Sequence, residues 1–172
     1  RLEPISFNEL GFAILWGRGD VDAALTQYNK ALQLNPEFSQ THFLLADLYL
    51  KERQIHRAMP YLENMEKTIE PQSPTVYGLL GHHYALAGRD DKARRILSLL
   101  LERMESEHVP AAAIAYLHLG LGDYDEAVEW LNTAYEERDS SLVWLKKYWA
   151  YDVLRDDARF QNLVARMNFP DQ

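Results

Sequence analysis

The chain has 172 residues, of which 47% are hydrophobic and 26% charged, a balance that suits a packed globular protein and excludes a disordered one. Its net charge of −8, with basic residues in short runs only (Lys92, Arg94, Arg95 and Lys146, Lys147), excludes a surface built to bind nucleic-acid phosphates. The absence of cysteine excludes disulfides, thiolate zinc and thiol catalysis, and no apolar run approaches the roughly 18 residues of a membrane span.

In chain order, Ser6 and Glu9 read as a capping box that opens a first helix. A turn, G-D-V-D-A-A at 19–24, leads into A-A-L-T-Q-Y-N-K-A-L-Q-L-N-P, whose Leu25, Tyr28, Ala31 and Leu32 share one helical face before Asn35-Pro36 closes it. A weaker copy of the turn, R-Q-I-H-R-A, stands at 53–58. Ser73-Pro74 then supplies a cap residue and a first-turn proline. The helix that follows places Tyr77, Leu80, Gly81 and Tyr84 at spacings of three, one and three.

The turn returns as G-R-D-D-K-A at 88–93 and G-D-Y-D-E-A at 122–127. Its alanine falls at positions 24, 58, 93 and 127, spacings of 34, 35 and 34, so the chain is an array of helix–turn–helix units. Gly122 is expected in the left-handed conformation that ends a helix. Asp123, Asp125 and Glu126 then sit at the positive end of the next helix dipole, as folding signals and not as an acid cluster for chemistry. Gly81 and Ala115, with the four turn alanines, are small side chains that let paired helices approach closely.

After Tyr135 the period stops. Phe160, Leu163, Val164 and Met167 form one apolar face of a last helix, with Asp156 or Asp157 as its cap. Trp144, Tyr148, Trp149 and Tyr151 give this tail the material to cover the final apolar face of the array. Because the chain begins at Arg1 without methionine or a visible signal peptide, it reads as a fragment or processed product.

These features resemble the tetratricopeptide repeat. L-G-x-x-Y-A-x-A-G at 80–88 is similar to the first helix and turn of that family, and G-D-V-D-A-A-L-x-x-Y-x-K-A-L-x-L-N-P at 19–36 to its second helix. The first unit departs from it by having Gly11-Phe12 where the small residue is expected second, and the second by having Arg53 in place of the turn glycine. The resemblance implies an all-α, right-handed superhelical solenoid of four units (about 5–38, 39–73, 74–107 and 108–138, together 1–138), followed by a helical capping segment over 139–172. It also implies that the first helices line a concave groove that binds peptide or protein segments.

Comparing the units with one another gives the candidates for that groove. The column Ala13, Asp47, His82, Tyr116 changes chemistry at every step. With its neighbours it nominates Glu9, Trp16, Phe43, Asp47, Leu50, His82 and Tyr116. Aromatic anchors and acidic residues there favour a neutral or basic peptide. Some relatives hold a partner's C-terminal carboxylate with Lys, Arg and Asn in these columns; none stands there in this chain.

The tail resembles an ending found in bacterial multidomain repeat proteins, through A-Y-E-E-R at 134–138, L-V-W-L-K at 142–146 and L-R-D-D-A-R-F-Q at 154–161. That implies the C-terminal part of a larger bacterial regulatory or signalling protein, although the prolines usual near Trp149, Val153 and Ala158 are missing. No cofactor and no catalytic residue is expected. Adjacent His82 and His83 cannot easily share a metal ion, His42 and His118 fall at core-facing places, and no H-E-x-x-H, G-x-S-x-G or phosphate loop occurs. The alternative to peptide binding is a structural segment that mediates self-association or docks on a sister domain.

Overall fold

The structure, a computed structural model, describes residues 3–68 and 73–169, and the chain divides into two compact units, Arg1–Ile69 and Glu70–Gln172. The first unit holds α1 (Pro4–Arg18), α2 (Val21–Leu34), α3 (Ser39–Lys51) and α4 (Ile55–Thr68). The second holds α5 (Pro74–Leu86), α6 (Asp90–Arg103), α7 (Ala111–Leu121) and α8 (Tyr124–Glu136). Two 3-10 segments, Ser140–Trp144 and Trp149–Leu154, lead from α8 to α9 (Ala158–Arg166). No strand occurs among the described residues. Helices pack in sequential pairs, α1 with α2, α3 with α4, α5 with α6 and α7 with α8, as the repeating turns require.

The turns explain the pairing. Gly19, Gly88 and Gly122 take φ of 66°, 72° and 80°, the left-handed conformation that reverses a chain after a helix. Arg53 occupies the equivalent turn at φ 55°, where a side chain costs roughly 1–2 kcal/mol relative to glycine. The second copy of the turn therefore keeps the geometry without the favoured residue. Asp20 caps α2 through its side chain, which accepts from the Ala23 N–H at 3.0 Å.

Two expected caps form differently. Helix α1 begins at Pro4 with Glu3 at its cap position, so Ser6 lies inside the helix and makes no capping box with Glu9. Proline's fixed φ suits the first helical position and starts the helix early. Ser73 does occupy the cap of α5, ahead of Pro74, but its side chain makes no capping hydrogen bond.

Small residues set the closest approaches. A Cβ on Gly78 would stand 2.5 Å from the Ala113 carbonyl oxygen, and one on Gly81 would collide with Leu117, so α5 and α7 pack almost backbone to backbone. In α1 the tight contact belongs to Gly11, against the Tyr28 ring of α2. The displaced glycine of the first unit thus does the packing there, one position early. Ala24, Ala58, Ala93 and Ala127 are all fully buried at the helix pairs.

Polar contacts across neighbouring repeats keep the period. Thr41 Oγ1 donates to Asn8 Oδ1 at 2.9 Å, 33 residues away. The His82 ring N–H donates to the Tyr116 carbonyl at 2.9 Å, 34 residues away. The same 34-residue offset joins Arg159 to Asp125 at 2.6 Å and Arg166 to Asn132 at 2.9 Å. Helix α9 therefore stands against α8 where the second helix of a fifth unit would stand, with the 3-10 segments in place of its first helix. Asp157 caps it, accepting from the Arg159 N–H at 2.7 Å.

Candidate protein-binding face

The nominated groove residues separate into two groups, one in each unit. In the first unit Glu9 lies exposed on α1, and Trp16, one turn beyond Phe12, is 43% exposed. The Phe12 and Trp16 rings meet at 5.3 Å between centroids and form an extended aromatic surface. On α3, Phe43 and Asp47 are half-buried and Leu50 is buried. The buried Thr41–Asn8 hydrogen bond ties α3 to α1 and fixes the spacing of these side chains. Asp47 also acts inward: burial and then its charge push the Tyr28 phenol up to about 12.

In the second unit, reading His82 and Tyr116 as ligand contacts is corrected by their burial, at 0% and 5% exposure. The chain's own tail covers them. The Tyr148 ring lies 6.3 Å from both the His82 and the Tyr116 ring, and Tyr151 lies 6.1 Å from Tyr116. Tyr148 Oη is 3.4 Å from Nε2 of His83, which is itself fully buried. Tyr151 then stacks on Phe160 of α9 at 5.7 Å. One aromatic cluster thus runs from α5 to α9 over the positions a ligand would have used.

Leu50 is corrected by its burial as well, at 5% exposure. The covering residues Tyr148 and Tyr151 are functional in this sense, and sequence reasoning placed them only at the end of the array. Their signal was present: α5 and α7 carry no Asp, Glu, Lys or Arg, and residues 111–117 are buried without a break. Such helices need cover on all sides.

The histidines have structural partners. His42 Nε2 lies 2.7 Å from the Pro36 carbonyl, and His118 Nδ1 3.4 Å from Asp123. Among the described residues no group of three or more His, Asp or Glu could hold a metal ion, and no helix is long and apolar enough to cross a membrane.

Paired helices in a 34-residue register, joined by left-handed turns and packed through small residues, define an all-helical repeat scaffold of the protein-interaction class. A family model described as a TPR repeat matches residues 14–52, and one described as a tetratricopeptide repeat matches residues 112–140. The chain carries tetratricopeptide repeats in both places. It is similar to the TPR repeat-containing protein MJ0940 of Methanocaldococcus jannaschii, with 34% identity over 60% of this chain and 32% of that protein. It is also similar to the general transcriptional corepressor trfA of Dictyostelium discoideum, 30% identical over 64% of this chain and 8% of that protein. Cellulose synthase operon protein C of Pseudomonas fluorescens is 37% identical over 35% of this chain and 5% of its own length. The chain thus spans no more than about a third of these curated relatives.

Proposed function

We propose that this chain is a non-catalytic binding module that takes a peptide or protein segment on the first-helix face of its first unit. Glu9, Trp16, Phe43 and Asp47 would make the contacts. The observation that carries this reading is the difference in cover: His82 and Tyr116 lie beneath Tyr148 and Tyr151, whereas Glu9 and Trp16 stay at the surface. Exposed apolar side chains on α1 (Ile5, Leu10, Trp16) beside acidic Glu9 suit a partner with apolar anchors and neutral or basic flanks. The resemblance of the tail supports a place within a larger bacterial regulator, and the relatives, from an amoeba, a bacterium and an archaeon, support a scaffold used in varied settings.

Peptides selected from a random displayed library on the whole chain test the reading. Selected sequences should combine apolar and basic residues and bind about tenfold more weakly after Trp16→Ala or Glu9→Lys. They should be indifferent to Val153→Ala, an exposed change in the second unit. Binding that ignores both α1 variants would overturn the assignment. A mass that rises with concentration in light scattering, and falls on Trp16→Ala, would favour self-association on this face instead.

A further inference from the structure

Helix α1 repeats, in sequence register, a face that α7 uses for packing. Gly19 and Gly122 both follow their helices at positive φ, and Ala24 and Ala127 come after them at the same interval of 103 residues. That interval sets Leu10, Ile14 and Gly17 of α1 on Ala113, Leu117 and Gly120 of α7. Each trio runs i, i+4, i+7 along one side of its helix.

On α7 this stripe lies against α5, the first helix of the preceding repeat. Gly78 presses on Ala113 and Gly81 on Leu117, and a Cβ on Gly120 would stand 2.8 Å from the His82 carbonyl oxygen. Two glycines on α5 and one on α7 therefore let the two backbones meet. On α1 the same stripe is open. Leu10 is 49% exposed where Ala113 is fully buried, and Ile14 is half-buried where Leu117 is fully buried. Among the described residues nothing stands within 4 Å of a Cβ built on Gly17. The opposite sides of α1 are engaged within the unit, Gly11 against Tyr28 of α2 and Asn8 bonded to Thr41 of α3. A glycine inside a helix weakens it, and close approach of another backbone is what makes use of it.

We propose that the Leu10, Ile14 and Gly17 stripe receives an α-helix of a partner protein, one that presents two small residues three positions apart, as α5 presents Gly78 and Gly81 to α7. The partner's small residues sit over Leu10 and Ile14, and its backbone lies against Gly17. A helix fits better than an extended segment because a helix covers the equivalent stripe of α7, and because the gap at Gly17 admits a backbone at helix-packing distance. The stripe adjoins Glu9 and Trp16, so this class of partner rests on the reading of α1 as a binding face.

The test titrates the whole, isotope-labelled chain with a stapled helical peptide that copies Gly78, Gly81 and His82 of α5 along one face and carries alanine, lysine and glutamate elsewhere. Saturable shifts are expected at the Leu10 and Ile14 methyls and the Gly17 amide. Gly17→Leu fills open space, so it should melt no lower than the unmodified chain and yet bind the peptide about tenfold more weakly. Leu10→Lys, also at an exposed position, should weaken binding by a similar factor. A peptide with leucine at both glycine positions should lose about tenfold as well. Trp16→Ala, which weakens the displayed peptides, should leave the stapled helix within about twofold, and Gly17→Leu should leave the displayed peptides unchanged, so the two assignments fail separately. Equal binding of the leucine peptide, indifference to Gly17→Leu, or no saturable shift up to about 1 mM peptide would overturn the proposal. Leu10 and Gly17 signals that move with the concentration of the chain alone would give the stripe to a second copy and overturn it too.

Discussion

Helices α1 and α7 are both apolar on nearly every side, yet one is open and the other enclosed. Helix α7 buries seven consecutive residues, 111–117, between α5, α6, α8 and the second 3-10 segment. Helix α1 buries only Asn8 and Gly11 and packs within its unit on α2 and α3. Similar sequence character thus meets different numbers of neighbours. The apolar surface that α7 buries inside its unit stays exposed on α1, and for that reason the proposed binding face is placed on the first unit.

The largest effect should come from the cover itself. Tyr151→Ala is expected to cost about 3–5 kcal/mol, whereas Trp16→Ala should cost less than about 0.5 kcal/mol. Urea denaturation checks both, and losses of similar size would erase the contrast. Glycine substitutions come next. Gly78→Ala drives a methyl into the Ala113 backbone and should cost about 1–3 kcal/mol, with slower folding or local opening seen by hydrogen exchange. Gly17→Ala on α1 meets nothing within 4 Å and should gain about 0.5 kcal/mol.

The turns give a smaller, opposite pair. Arg53→Gly should stabilise the first unit by about 1 kcal/mol, and Gly88→Ala, at φ 72°, should destabilise the second by a similar amount. Thermal melts that moved in the same direction would contradict the common geometry of the two turns.

The smallest effects are in pH. Asp157 is held at about 2, first by the side-chain hydrogen bond from Arg159, below the ordinary 3.8. A lowered folded pKa means that its contribution is complete above about pH 4 and fades as pH falls towards 2. Tyr28 has the opposite sign. Raised from 10.0 to about 12 by burial and then by Asp47, it supports the first unit below pH 10 and ceases to as pH climbs to about 12. Hydrogen exchange should show α9 loosening in acid and α2 in alkali. Asp157→Asn should flatten the first response and Tyr28→Phe the second.

Much of the fold was legible because the turns repeat. The alanines at 24, 58, 93 and 127 and the glycine at 122 are in the sequence, and each occupies the place its spacing implied. The cap of α9 was legible too, and the structure selects Asp157 from the adjacent pair. Helix α1 starts early because proline overrides a serine cap two residues later, a competition that local pattern does not rank. The fate of His82 and Tyr116 was not legible from their column. Variation between repeats marks a ligand surface and an intramolecular packing surface alike, and only the path of residues 140–154 distinguishes them.

The 34-residue offset that reaches into α9 has a practical corollary. Arg159 and Arg166 address Asp125 and Asn132 as though the array continued, and we propose that the segment from Asp139 onward is a terminator that reads the surface of the unit before it. A terminator of that kind should be transplantable. Grafted behind another unit of the same family that presents an aspartate, an asparagine and a tyrosine at the positions of Asp125, Asn132 and Tyr116, it should close that array as well.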